Sequence, residues 1–178
     1  MKKIIIIVFV ILIVGCSKTK TANDVVSEYL RSFNSVDRNI KDEIDDALNK
    51  NDEYNNEHKK KYKEIILRQY KDLKFDILKE EYDENSALVT VNINVYDLNK
   101  AEDDALEYLK ENLSDFYDET NNFDNDKYLS YKLDLMKKTD HRIDYEIIFY
   151  LKKRKGKWIM EQPTESDLEK ISGTYKDS

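Results

Sequence analysis

Residues 87–95 read Ala-Leu-Val-Thr-Val-Asn-Ile-Asn-Val, and this stretch decides the fold. Ala87, Val89, Val91, Ile93 and Val95 alternate without a fault, while Leu88, Thr90, Asn92, Asn94 and then Tyr96 take the opposite face. Successive side chains of a strand point to opposite faces, so this period of two reads as a strand with one face in a core. Just upstream, Leu73, Phe75 and Ile77 alternate likewise and residues 83–86 have turn chemistry, which predicts an antiparallel hairpin. Far downstream, Ile143, Tyr145, Ile147, Phe149 and Leu151 make a second long alternating run. A turn containing Gly156 follows, and Trp158-Ile159-Met160 returns from it. Trp158 and Met160 share a face, so the indole is expected to pack under this closing hairpin. Neither long run places a carboxylate on its apolar face.

Around the strands the period is helical. Val25, Val26, Tyr29, Leu30 and Phe33 mark one apolar stripe, and Thr21 with Asp24 has capping-box spacing. Val36, Ile40, Ile44 and Leu48 form a narrower stripe on a highly charged surface, which suggests a lid-like helix. After a polar break over 51–57, a third helix is predicted from His58 to Leu73, with Tyr62, Ile65, Ile66, Gln69 and Tyr70 on one side. Another covers 99–117 through Ala101, Ala105, Tyr108, Leu109, Leu113 and Phe116. Residues 128–138 fit either period: Tyr128, Leu129, Lys132, Leu133 and Met136 favour a helix, and Leu129, Tyr131, Leu133 and Leu135 a strand. The helix is preferred. Pro163 ends the last strand, Thr164 caps a short helix through Leu168 and Ile171, and Gly173 stops it.

Composition narrows the function classes. A chain of 178 residues, 40% hydrophobic and 11% aromatic, can fill one core despite 38% charged residues. One cysteine excludes an internal disulfide, an iron–sulfur centre and a cysteine-based zinc site. A net charge of −7 leaves no global basic footprint for nucleic acid.

The N-terminus is the most specific segment. Lys2 and Lys3 precede an apolar run of eleven residues, 4–14. That is too short for a lasting membrane helix, which needs about 20 residues, and the right length for a secretory signal. The run closes on Ile13-Val14-Gly15-Cys16, which resembles the lipobox of bacterial lipoproteins. The resemblance implies diacylglyceryl transfer to the Cys16 thiol and cleavage ahead of it. The expected organisation is a signal peptide over 1–15, a lipidated tether over 16–22 and one α+β domain over 23–178. The expected location is the outer face of the cytoplasmic membrane. The abundance of Lys over Arg, and of Ile, Asn and Tyr, matches AT-rich codons and points to a Gram-positive source.

Three segments, 22–33, 87–95 and the hairpin 147–159 with its Gly-Lys-Trp turn, together resemble the small Gram-positive lipoproteins with a nuclear transport factor 2-like (cystatin-like, SnoaL-like) cone domain. That resemblance implies N-terminal helices packed on a curved antiparallel sheet around a conical hollow. The extra helical segment between the two hairpins departs from the minimal form. Relatives bind small apolar molecules or proteins in or around the hollow, or catalyse reactions where polar residues line it, so fold alone does not settle function.

The remaining candidates are weak as chemistry. His58 and His141 lack metal-ligand spacing and read as solvent-facing or capping histidines. An enzymatic alternative of the SnoaL-like type pairs His141 with Asp140 or Asp144 at the mouth of the cone. The acidic loop 118–126 lacks the glycine and terminal glutamate of an EF-hand and reads as solvated. Lys152, Lys153, Arg154, Lys155 and Lys157 read as a soluble hairpin edge, with contact to anionic lipid or wall polymer as the alternative. The sequence therefore predicts a non-enzymatic binding or interaction module, without cofactor or metal. Its expected partners are the membrane, through Cys16, and a small apolar ligand or an envelope protein, and nucleic acid is not among them. A purely structural envelope component is the third reading.

Overall fold

A computed structural model describes residues 20–176, so the signal segment 1–15 and Cys16 lie outside the described residues. Three helices come first: α1 (Ala22–Ser35), α2 (Arg38–Asn49) and α3 (Asn56–Lys71). A hairpin of β1 (Lys74–Tyr82) and β2 (Ser86–Tyr96) follows, then α4 (Leu98–Glu111), a 3-10 turn (Leu113–Phe116) and α5 (Asn125–Lys138). The chain closes with β3 (Arg142–Arg154), β4 (Lys157–Met160) and α6 (Glu165–Ser172). The strands form one antiparallel sheet in the order β1-β2-β3-β4. The fold is α+β, with the N-terminal helices packed on an open sheet.

Burial follows the two periods. Ala87, Val89, Val91, Ile93 and Val95 of β2 are all buried, and they face the same side as Ile147, Phe149 and Leu151 of β3. Against that side α1 sets Val26, Tyr29, Leu30 and Phe33. Thr21 and Asp24 form the expected capping box, and these bonds to Thr21 hold the Asp24 carboxyl below its ordinary range. Ile40, Ile44 and Leu48 of α2 are buried too, so the narrow stripe is fully used. α2 packs chiefly on α3, and the Lys63–Asp45 ion pair ties the two together.

One of two stretches differs from expectation in detail. Residues 99–117 are not one helix: α4 ends at Glu111, where the Asn112 side chain bonds back to the Tyr108 carbonyl, and a separate 3-10 turn follows. Residues 128–138 are helical as preferred, with Leu129, Lys132, Leu133 and Met136 buried on one side.

Glycine is decisive at one position. Gly173 ends α6 at φ +73, and its carbonyl accepts from the Leu98 and Asn99 amides at the start of α4. A Cβ there would stand 2.1 Å from the Tyr96 carbonyl oxygen and 2.4 Å from Gln69 Nε2. Buried Gln69 makes reciprocal bonds with the Tyr96 backbone, so α3, β2, α4 and α6 meet at this point. The sheet itself is unevenly finished. β4 pairs only with residues 151–154 of β3, leaving residues 142–149 with a strand on one side alone, and β1 carries an irregularity between Ile77 and Lys79.

Candidate functional site

The interior between helices and sheet holds a line of aromatic rings. Phe149 from β3 meets Tyr29 at 5.9 Å, Tyr29 meets Phe33 at 5.2 Å, and Phe33 meets Tyr70 of α3 at 4.9 Å, all edge-on. Such geometry lets the positive ring edge face the negative ring face. Two polar atoms buried in this region lack a hydrogen-bond partner, the Tyr29 hydroxyl on α1 and Oε2 of Glu43 on α2. Burial, and then the neighbouring Tyr70, Asp167 and Glu43, push Tyr29 well above its ordinary ionisation range, so it stays a neutral hydroxyl. Burial also raises Glu43, with Asp37 and Asp46 adding to the effect. All four rings are 1–3% exposed and pack on one another as part of the core.

A second polar group joins α3, α4 and α5. His58 is 1% exposed, not solvent-facing as its lysine-rich surroundings suggest, and its ring Nε2 lies 2.9 Å from Ser130 Oγ. Asn55 caps α3 by accepting from the His58 amide. Tyr54 packs edge-on to the imidazole, and Lys132 of α5 reaches Glu102 of α4 at 3.0 Å. Helical spacing carried the signal: His58, Tyr62, Ile65 and Gln69 fall on one face of α3. A histidine beside a serine is the start of a nucleophile–base arrangement, which needs a third group to orient the ring. His58 Nδ1 has no hydrogen-bond partner, so that orienting bond is missing.

The other histidine does not assemble a site. His141, Asp140 and Asp144 are all exposed. Asp144 points to the outer face of the sheet, where Asn92 and Asn94 donate to its Oδ1. In the acidic loop, Asp118 Oδ1 accepts from the Thr120 amide and hydroxyl and from the Asn122 amide, and these bonds hold its carboxyl below the ordinary range. Asp124 is spent capping α5. Among the described residues there is no group of three or more His, Cys, Asp or Glu that could hold a metal ion, and no helix long and apolar enough to cross a membrane.

The basic turn is ordered by its backbone. Lys155 and Gly156 both have positive φ, as the right-handed twist of a two-residue hairpin requires. Lys152 pairs with Glu161, Lys153 lies over the Trp158 ring, and Arg154, Lys155 and Lys157 are exposed. Trp158 also meets Tyr82 of β1 at 5.6 Å, and the Tyr82 hydroxyl donates to Glu80, which also accepts from Asn23 at the start of α1. Comparison with family models, curated proteins and solved structures returns no match to this chain.

Proposed function

We propose that this protein is an extracytoplasmic lipoprotein, held on the outer face of the membrane by acylated Cys16, whose α+β domain is a cystatin-like cone serving as a non-enzymatic binding or interaction module. The observation that carries the anchor is positional: the only cysteine in the chain completes Ile13-Val14-Gly15-Cys16, directly after an apolar run of signal-peptide length. A thioether-linked diacylglyceryl group needs a thiol at that point. Two or three acyl chains, at about 0.8 kcal/mol per buried CH2, hold a protein on a bilayer where one would not.

For the domain, binding is favoured over turnover because the inward faces of β2 and β3 carry only apolar side chains. Asp144 and Glu146 face outward. General acid–base catalysis requires a titratable group within hydrogen-bond reach of the substrate. An apolar or aromatic small molecule, or an envelope protein, is the partner of this reading. The Cys16→Ser protein should lose fatty-acid labelling and accumulate as precursor. Labelling equal to that of the unaltered chain would overturn the assignment.

A further inference from the structure

One end of the domain gathers features that the binding reading leaves unused. Asn23 at the start of α1 and Tyr82 both donate to Glu80, Tyr82 touches Trp158, and Lys153 covers Trp158, so the entry of the ordered chain lies beside the basic β3–β4 turn. The Lys153 amide also bonds to the Asn85 carbonyl, which places the β1–β2 turn at the same end. Several charges there are already neutralised: Lys20 pairs with Glu28, Lys79 with Glu81 and Lys152 with Glu161. Arg154, Lys155 and Lys157 are exposed, as are Asp83 and Glu84 of the neighbouring turn.

Chain length keeps this end close to the bilayer. Four peptide steps separate Cys16 from Lys20, and an extended chain covers at most about 14 Å in that distance. A domain of this size has a radius of gyration of about 15 Å, so a lipid on Cys16 holds this end within about one such radius of the bilayer. We propose that the Arg154/Lys155/Lys157 turn, with Trp158 and Tyr82 beside it, is a docking face for anionic phospholipid headgroups that orients the domain on the membrane. This rests on the anchoring through Cys16 proposed above. The whole chain has a net charge of −7, so its average field opposes an anionic surface, and the exposed cations of this turn offset that repulsion at this end. The attraction falls off over a Debye length of about 8–10 Å, the same order as the reach of the short tether. Tyrosine and tryptophan suit the headgroup level, since each has an apolar ring and a polar edge.

Trp158 is the only tryptophan, so it reports on its own contact with lipid. The lipidated full chain, purified from membranes, would be placed in phosphatidylcholine vesicles with or without phosphatidylglycerol, each carrying a nitroxide-headgroup lipid as quencher. Phosphatidylglycerol should add quenching of Trp158 that high salt removes. The triple variant Arg154→Glu, Lys155→Glu, Lys157→Glu should stay vesicle-bound, keep its melting temperature and lose that added quenching. Equal quenching in neutral vesicles, or in the variant, would overturn the docking face. Emission that responds to a soluble polyglycerol phosphate but not to phosphatidylglycerol would overturn it in favour of a wall polymer. The mass of the membrane-extracted protein separates the two levels. Absence of an acyl group removes the anchor and this inference together, whereas an acylated chain without phosphatidylglycerol dependence removes the docking face alone.

Discussion

Glu43 is an uncomfortable residue where it stands. Its Oε2 is buried without a partner, and the nearby Asp37 and Asp46 add like charge. Burial raises its pKa in the folded state, so the charged form is penalised at neutral pH and the penalty fades as the carboxyl protonates. Glu43→Gln should therefore raise the melting temperature at pH 7. The gain should shrink as pH falls through the raised folded value and be gone below the ordinary carboxylate range. Thermal melts between pH 7 and pH 3 check this, and a gain that grows toward acid would contradict it. At the residue scale the site was only partly legible. The reading of Cys16 rests on chemistry local in sequence, and that residue lies outside the described ones. Helical spacing puts His58 on the buried face of α3, but its partner was not legible, because Ser130 lies 72 positions away and only packing of α5 on α3 brings them together. The Tyr29 hydroxyl was equally hidden: the apolar stripe of α1 placed the ring, but the lack of a partner for its oxygen depends on three elements at once.

Among the elements, the two glycines make a controlled pair. Both have positive φ, +76 at Gly156 and +73 at Gly173, but nothing lies within 4 Å of a Cβ at Gly156. Gly156→Ala should cost about 1 kcal/mol, the left-handed backbone penalty alone. Gly173→Ala should cost roughly 3 kcal/mol or more, because the added carbon must displace backbone as well. Urea unfolding distinguishes the two, and equal losses would mean that the α6–α4 junction yields freely. Trp158 is half-buried between Tyr82 and Lys153 rather than sunk in the core. Trp158→Ala should thus cost about 1–3 kcal/mol, below the ~3–5 kcal/mol of a fully buried tryptophan, measured by the same titration. Elements with a clean period were the legible ones. β2 and β3 alternate, α1 and α6 have capping boxes, and all four stand where the sequence puts them. α5 was ambiguous because both periods fit it. Its Lys132 settles inside a helical face only because Glu102, on a different helix, neutralises it. The break at Asn112 was illegible for a related reason, since a helical apolar pattern continues through it.

For the molecule as a whole, the α4–α5 segment is fastened rather than appended. Arg68 of α3 donates to the Lys137 and Thr139 carbonyls at the end of α5, Lys61 pairs with Asp134, and Lys137 pairs with Glu64. Arg142 reaches the Asp72 and Asn94 carbonyls, and its guanidinium and that of Arg68 both lie against the Tyr96 ring. Unfolding should therefore be a single cooperative transition, with far-ultraviolet and aromatic circular dichroism melting together. Two separated transitions would show that the segment unfolds by itself. The uneven finish of the sheet carries a different consequence. A protein tethered to a surface meets copies of itself at high local density, and open strand edges are where such encounters turn into growing aggregates. Here one edge is broken by the irregularity at Ile77/Lys79, and the other is stepped because β4 is short, so neither offers a long straight template. Salt can screen the charges of Asp144 and Glu146 along the step, but it cannot straighten it. Self-association at high local density is thus resisted by shape as well as by charge.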